Sequence, residues 1–302
     1  VKDDLMSAHW LQKSTSGTYD YDVRISQSQD AGDTWNPSII PHRDGVNAEH
    51  GFVSMLPTPK GKTFAVWLDG RNTKKETNNA MTLRTAEIGR DGKLSEEVEL
   101  DNRVCDCCQT GATWTDKGPV VVYRDRTKSE IRDISIVRKV NGKWTKPQPL
   151  HEDNWKIAGC PVNGPSIDSN GKFVSVAWFT MNNEEPKVFY ALSDDYGENF
   201  NKPIRVDDAN AIGRVDLIQR NDGNTLISWM EAIDTIATIK VKEFGSNRKS
   251  IRSYDVAQNS NSRTSGFPRM ELQNNKELVM TWTNTQDSIS IVQSMKINLN
   301  EK

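Results

Sequence analysis

A two-strand phrase recurs along the chain, and this repeat restricts the fold more than any other feature of the sequence. Its second strand ends in an aromatic residue with a polar tail, as in residues 64–69 (FAVWLD) and 225–230 (TLISWM). The aromatic residues follow one another at intervals of 51 to 57 residues: Trp10, Trp67, Tyr123, Trp178, Trp229 and Trp282. This is the length of a four-stranded propeller blade. The sequence therefore predicts an all-β, six-bladed β-propeller with four-stranded antiparallel blades.

Both ends of the chain carry incomplete copies of this phrase. Residues 6–11 match only its second strand, and little chain follows the last copy to form an outer strand. An open first blade and an open last blade would leave unpaired strand edges. We therefore expect the first and last blades to be joined at the termini, and residues 1–302 to form a single domain without linkers.

Charge and hydropathy exclude several classes of partner. The chain has 39 Lys plus Arg against 41 Asp plus Glu, so no basic surface is expected for nucleic acid or for an anionic membrane. No stretch approaches the roughly 20 consecutive apolar residues of a transmembrane helix. The sequence leaves the oligomeric state open.

Two octapeptides, residues 28–35 (SQDAGDTW) and 193–200 (SDDYGENF), share the template S-x-D-x-G-x-(T/N)-(W/F). In such a segment Ser and Asp side chains hydrogen-bond the backbone of a tight turn, and Gly supplies a positive φ. The template resembles the Asp box, or BNR repeat, of the sialidase-like β-propellers. In that family the motif lies at the outer rim, so it indicates the fold rather than the chemistry.

All four cysteines lie in two short segments that the repeat places beside His50 at one rim of the propeller: Cys105, Cys107, Cys108 and Cys160. Thiolates with an imidazole suit copper or zinc, although C-x-C-C is not a standard zinc spacing. The alternative is a disulfide between blades, joining Cys107 or Cys108 to Cys160. Both interpretations stay open at this point.

Charged residues follow several of the second strands and lie near the predicted central funnel. Converging guanidinium groups suit a carboxylate or sulfate ligand, because they bind such anions through two hydrogen bonds. The candidate substrate-binding residues are Arg71, Arg124, Arg126, Arg214 and Arg269. The candidate catalytic carboxylates are Asp69, Asp125 and Glu49. The alternative is that half of these charges are solvated or hold neighbouring blades together.

The resemblance to the sialidase-like superfamily implies an exo-sialidase activity with an arginine triad, a tyrosine nucleophile paired with a glutamate, and an aspartate acid/base. Arg71, Arg214 and Arg269 could fill the triad. The family's early F/Y-R-I-P signature is missing here, and no Tyr–Glu pair can be assigned. The resemblance therefore supports the fold more strongly than the activity.

The cysteine-bearing phrases at residues 101–110 and 159–165 resemble a bacterial subgroup of exported Asp-box proteins, which implies a periplasmic or secreted location. The predicted function is binding or hydrolysis of an anionic glycan, as a glycoside hydrolase or a lectin-like binder. The partner would be a carbohydrate or another anionic small molecule. The alternative is an envelope metal-binding (copper or zinc) or redox protein that uses the four cysteines and His50.

Overall fold

A computed structural model describes residues 3–76, 79–274, 276–286 and 289–299. These residues form 22 β-strands and two short 3₁₀ helices, Arg71–Lys74 and Asn182–Glu184, and no α-helix occurs among them. The all-β prediction is confirmed. In the described part of the chain, no helix is long and apolar enough to cross a membrane.

The chain divides into two compact units, the first of which contains residues 1–114, 119–149 and 157–161. It holds a two-stranded sheet (β1-β2), a four-stranded sheet (β3-β4-β5-β6) and a sheet ordered β10-β9-β8-β7 in which β11 also pairs with β9. Its strands are β1 (Met6–Lys13), β2 (Tyr21–Ser28), β3 (His50–Pro57), β4 (Thr63–Asp69), β5 (Met81–Ile88), β6 (Val98–Val104), β7 (Gly111–Thr115), β8 (Gly118–Arg124), β9 (Ile134–Val140), β10 (Lys143–Trp144) and β11 (Gln148–Pro149).

The second unit contains residues 115–118, 150–156 and 162–302. It holds two four-stranded sheets, β12-β13-β14-β15 and β16-β17-β18-β19, and the three-stranded sheet β20-β21-β22. Its strands are β12 (Ser166–Asn170), β13 (Phe173–Thr180), β14 (Lys187–Ser193), β15 (Ile204–Arg205), β16 (Ala211–Gln219), β17 (Thr225–Ile233), β18 (Ile236–Phe244), β19 (Ser250–Ser260), β20 (Gly266–Gln273), β21 (Glu277–Gln286) and β22 (Ile289–Asn298). Four-stranded antiparallel sheets are thus confirmed in both units, whereas the joining of the terminal blades and the single domain over residues 1–302 stay predictions.

The second strand of each sheet lies in the core, as the repeat predicts. Every residue of β4 is buried, and the indoles of Trp67, Trp178 and Trp229 are 0% exposed. Trp10 differs, since 42% of it is exposed. The reason is its position on β1, which lies at the edge of a two-stranded sheet.

Carboxylates link the first strands of neighbouring sheets in the second unit. Asp168 Oδ2 on β12 accepts a hydrogen bond from the backbone N–H of Gln219 on β16 (2.9 Å). Asp216 Oδ2 on β16 accepts one from the backbone N–H of Met270 on β20 (2.7 Å). These side chains satisfy backbone donors that have no neighbouring strand of their own sheet to pair with, and so they hold the inner strands of adjacent sheets together.

The inner strands β3, β16 and β20 share a β-bulge near their first residues. The pairing register shifts after Gly51, Gly213 and Gly266. The residue after each glycine has a positive φ: 53° at Phe52, 58° at Arg214 and 55° at Phe267. Bulges of this kind redirect a side chain at the end of a strand and often accompany functional sites.

Both octapeptide turns are closed by hydrogen bonds of the predicted kind. Ser28 Oγ accepts from the N–H of Gly32 (2.8 Å), and Asp30 Oδ1 accepts from the N–H of Thr34 (2.8 Å). The second octapeptide makes the same bonds. Trp35 is 43% exposed, and its Nε1–H donates to the Gly32 carbonyl (3.1 Å). The aromatic residue of this turn therefore covers the turn itself.

Candidate functional site

A buried histidine begins β3 and pairs in register with Asp69 at the end of β4. The two ring nitrogens of His50 face oxygen acceptors: the Tyr21 carbonyl at 3.0 Å from Nδ1 and Asp44 Oδ2 at 3.0 Å from Nε2. Burial alone would lower the pKa of His50, but the hydrogen bond to Asp44 and the charge of Asp69 outweigh it and raise the pKa. Ligand atoms of Asp44, His50 and Asp69 lie within 4.8 Å of one another, and the assignment of His50 as a metal ligand stays a prediction.

The ring of His42 stacks on the ring of His50 with parallel planes and centroids 3.6 Å apart. Its Nε2 accepts a hydrogen bond from the backbone N–H of Val23 (3.1 Å). The ring of His42 thus fixes the position of His50 from one side. Spacing in the sequence gives no signal for this contact, because a loop residue and a strand residue form it.

Arg71 does not extend into solvent to meet a ligand. Its Nε lies 2.8 Å from Asp69 Oδ1 and 2.9 Å from Asp44 Oδ2, and its Nη2 lies 2.8 Å from Glu97 Oε1. Three carboxylates therefore neutralise one guanidinium. An anion bound to Arg71 would compete with these partners, and the assignment of Arg71 to substrate binding stays a prediction.

Asp69, a predicted catalytic carboxylate, is 0% exposed. It also accepts a hydrogen bond from Trp67 Nε1 (3.0 Å). Burial would raise the pKa of Asp69, but Arg71 and His50 hold it below the usual value. Asp69 is therefore a buried carboxylate held by Arg71, His50 and Trp67, and its assignment as a catalytic residue stays a prediction.

Glu49, the residue before His50, is a carboxyl with a raised pKa, and its assignment as a catalytic residue stays a prediction. Its side chain is half-buried. Burial, and then the negative charge of Asp106, raise the pKa of Glu49 to about 7. Asp106 itself accepts a hydrogen bond from Arg126 Nη1 (2.9 Å). A protonated carboxyl beside a carboxylate that an arginine holds is the arrangement from which acid/base pairs are built.

Asp125 is a second carboxyl with a raised pKa. Burial, and then the charge of Asp101, raise the pKa of Asp125 to about 6. Its Oδ1 accepts the backbone N–H of Arg126 (2.7 Å) and its Oδ2 lies 3.4 Å from Ser135 Oγ. Asp125 therefore remains a candidate for proton transfer.

The two other predicted arginines of the first unit are used internally. Arg124 is 1% exposed, and its Nη1 donates to the backbone carbonyl of Arg132 (2.6 Å). Arg126 pairs with Glu130 (2.9 Å) and with Asp106. The guanidinium of Arg124 lies in the core, and that of Arg126 is held by two carboxylates, so the assignment of both to substrate binding stays a prediction.

The cysteine segments meet as predicted, and the disulfide alternative is the one that forms. Cys107 and Cys160 are disulfide-bonded, so the predicted metal site of four thiolates is wrong. Cys105 and Cys108 are buried thiols with their sulfurs 3.5 Å apart. The thiol of Cys108, together with Arg132 at 3.2 Å from Cys105 Sγ, holds the pKa of Cys105 below its usual range.

Arg214, in the second unit, sits at the bulge of β16 and carries a charge that its surroundings disfavour. Its guanidinium donates to the backbone carbonyls of Ser262 (2.7 Å) and Ser265 and lies 5.0 Å from the ring centroid of Phe267. Burial, and then the positive charge of Arg263, lower the pKa of Arg214 to about 10. An anion bound here would relieve that cost.

Arg269 lies on β20, which contacts β16. Its side chain is 58% exposed, and its Nη1 lies 3.0 Å from Asp216 Oδ1. Asp216 therefore fixes one end of the guanidinium while most of the side chain is open to solvent. Arg214 and Arg269 are the two predicted anion-binding residues whose geometry suits that role.

No protein-family model matches the chain, and no curated protein matches it. Solved structures do match. A protein of unknown function from Dyadobacter fermentans DSM 18053 aligns with a TM-score of 0.64 at 11% identity, over 98% of this chain and 92% of that one.

The other matches include enzymes that act on glycans. The NanB sialidase from Streptococcus pneumoniae aligns with a TM-score of 0.59 at 10% identity, over 98% of this chain and 66% of that one. An ulvan lyase aligns with a TM-score of 0.63 at 11% identity, over 99% of this chain and 79% of that one. The chain thus spans about two thirds of the sialidase. At these identities the likeness concerns the fold alone, which this chain shares with the matched structures.

Proposed function

We propose that this protein is an exported, six-bladed propeller that binds an anionic glycan through Arg214 and Arg269. The observation that carries the proposal is the half-buried guanidinium of Arg214 at the bulge of β16, whose pKa is lowered to about 10 by partial burial and by Arg263. A carboxylate or sulfate would supply the negative charge that this position lacks. Arginine suits the task because its planar guanidinium can donate two parallel hydrogen bonds to such a group.

The class of ligand follows from the fold together with this charge. The matched structures include sialidases and an ulvan lyase bound to a disaccharide of glucuronic acid and sulfated rhamnose. Those ligands carry the carboxylates and sulfates that guanidinium groups recognise. An acidic sugar is therefore the ligand that we propose for this chain, in a periplasmic or secreted location.

For the first unit taken by itself, we propose separately that Glu49 is a general acid for glycoside hydrolysis. A pKa of about 7 keeps a large fraction of this carboxyl protonated at neutral pH while still allowing it to release a proton. Asp106, held by Arg126, supplies the complementary carboxylate. Asp125 is the alternative acid, since its pKa is also raised, to about 6.

The test combines a binding assay with a turnover assay. Isothermal titration calorimetry with sialylated, uronic and sulfated oligosaccharides should detect binding, and Arg214→Met and Arg269→Met should each weaken it at least tenfold. Arg248→Met, at an exposed arginine that donates to the Lys202 carbonyl, is the matched control and should bind as the wild type does. Fluorogenic glycosides test turnover, which Glu49→Gln should abolish. The proposal is refuted if the protein shows no binding and no turnover at millimolar concentrations of these ligands.

A further inference from the structure

A buried thiol pair lies against an accessible disulfide in the first unit. Cys105 and Cys108 are 0% and 2% exposed, whereas Cys160 is exposed and Cys107 half-buried. The Sγ of Cys105 lies 3.5 Å from that of Cys108 and 3.9 Å from that of Cys107. One sulfur thus has both a partner thiol and a disulfide within contact distance.

We propose that this protein carries out an internal dithiol–disulfide exchange, in which the buried pair Cys105/Cys108 reduces the accessible disulfide Cys107–Cys160. This activity is independent of glycan binding, and it uses sulfurs that the proposed glycan site leaves aside.

The first step is attack by the Cys105 thiolate on Cys107 Sγ. A bond forms between Cys105 and Cys107, the Cys107–Cys160 bond breaks, and the electron pair leaves on Cys160 as a thiolate. Arg132, whose Nη1 lies 3.2 Å from Cys105 Sγ, favours the anionic form of the attacking sulfur. Attack through a mixed disulfide is the general route of such exchanges.

The second step transfers the new bond into the buried pair. Cys108 loses its proton to the Cys160 thiolate or to solvent and attacks Cys105 Sγ. A Cys105–Cys108 bond forms, and Cys107 leaves as a thiolate. In total the Cys105/Cys108 pair is oxidised by two electrons and the Cys107/Cys160 pair is reduced by two, so no outside oxidant is consumed.

The exchange moves a thiol to the accessible surface and a disulfide to the buried pair, while each chain keeps two thiols. Before it, the loop at residues 105–108 is tied to the segment at residues 159–161. After it, that tie is open, Cys160 is an exposed thiol, and the oxidised pair is shielded from solvent. The total thiol content cannot report this event, whereas the position of the thiols can.

The experiment captures Cys160 whenever it is released. The oxidised, full-length chain is incubated without any reductant, in the presence of a maleimide that carries a polyethylene glycol chain too large to reach the buried pair. A gel shift counts the labels on each chain. Trypsin cuts after Arg103, Lys117, Lys156 and Lys172, so one peptide carries Cys105, Cys107 and Cys108 and another carries Cys160. A label on Cys160 is therefore distinguished from a label on the other three cysteines. We expect Cys160 to become labelled with time, at a rate independent of protein concentration.

Two variants provide the controls. Cys105→Ser removes the attacking sulfur and should slow labelling of Cys160 at least tenfold. Cys108→Ser keeps the first step and should still release Cys160, but the peptide should end with a Cys105–Cys107 bond. The proposal is overturned if Cys160 stays bonded to Cys107 in the wild type throughout a prolonged incubation, or if Cys105→Ser is labelled as fast as the wild type.

Discussion

The raised pKa of the Glu49 carboxyl makes the stability of the folded protein depend on pH. Its pKa rises from 4.5 to about 7 in the folded protein, so the folded state binds more protons than the unfolded state between these values. The free energy of unfolding therefore decreases as the pH rises from 4.5 to 7, because Glu49 ionises more readily in the unfolded chain. We predict that Glu49→Gln is more stable than the wild type at pH 8, by about 1 kcal/mol once solvent screening of this half-buried group is allowed for.

Urea unfolding of both proteins at pH 4 and pH 8 checks this prediction. The two should differ little at pH 4, where Glu49 is protonated in both states. Glu99→Gln, at an exposed position on β6, is the control and should follow the wild type. An equal stability difference at both pH values would show that the effect of Glu49→Gln is one of packing.

The contribution of the His50 imidazole to stability also falls as the pH rises, since its pKa is raised in the folded state as well. Its pKa is raised above 6.5 in the folded state, so the stability that it contributes is fully present below pH 6.5 and is lost as the pH rises through the raised value. We predict that His50→Gln lowers the melting temperature strongly at pH 6 and much less at pH 9. Scanning calorimetry across this range checks it, with His151→Gln as the control. A penalty that is the same at pH 6 and pH 9 would contradict a protonated His50.

The repeat predicted that the cysteine segments meet, but it did not show that Asp69, Arg71 and Arg124 have partners inside the protein. The physical reason is that charge type and spacing do not reveal burial. A carboxylate two residues after a core tryptophan is expected at the rim. In the structure, Asp69 lies in the core, where it accepts a hydrogen bond from the indole N–H of Trp67 and forms an ion pair with Arg71. Partners such as Asp44 come from loops whose paths the repeat does not predict.

At the scale of elements, Asp216 is the most testable link between neighbouring sheets. It accepts the backbone N–H of Met270 and the guanidinium of Arg269, and it lies 3.1 Å from Ser166 Oγ. Asp216→Ala leaves the buried Met270 N–H without an acceptor, which costs about 2–3 kcal/mol of folding free energy. Asp216→Asn keeps one acceptor oxygen and should cost about 1 kcal/mol.

Guanidinium chloride unfolding of the two Asp216 variants provides the measurement. The order of stability should be wild type, then Asp216→Asn, then Asp216→Ala. Equal losses in the two variants would mean that the charge of Asp216, and not its hydrogen bond to the backbone, holds β16 against β20.

The element pattern was largely predictable because the second strands combine alternating apolar residues with an aromatic at a constant interval. Trp67, Trp178 and Trp229 are buried as the repeat requires. The bulges at Phe52, Arg214 and Phe267 were not predicted, because non-glycine residues of this size rarely adopt a positive φ. The strain at these positions is set by the neighbouring sheets, which local sequence does not describe.

At the scale of the whole molecule, the Cys107–Cys160 bond joins residues 53 positions apart in the sequence. Closing a loop of this size restricts the unfolded chain and stabilises the folded one by about 3–4 kcal/mol. We predict that the double variant Cys107→Ser/Cys160→Ser loses stability of this size in urea unfolding under oxidising conditions. Reduced wild type is the matched control and should unfold at the same urea concentration as the double variant. A double variant as stable as the oxidised wild type would contradict the prediction.

Binding of an anionic glycan by Arg214 and Arg269 can be observed in a crystal of the protein soaked with an acidic oligosaccharide. We expect a carboxylate or sulfate of the sugar within hydrogen-bond distance of both guanidinium groups. A sugar bound at a site that touches neither arginine would contradict it.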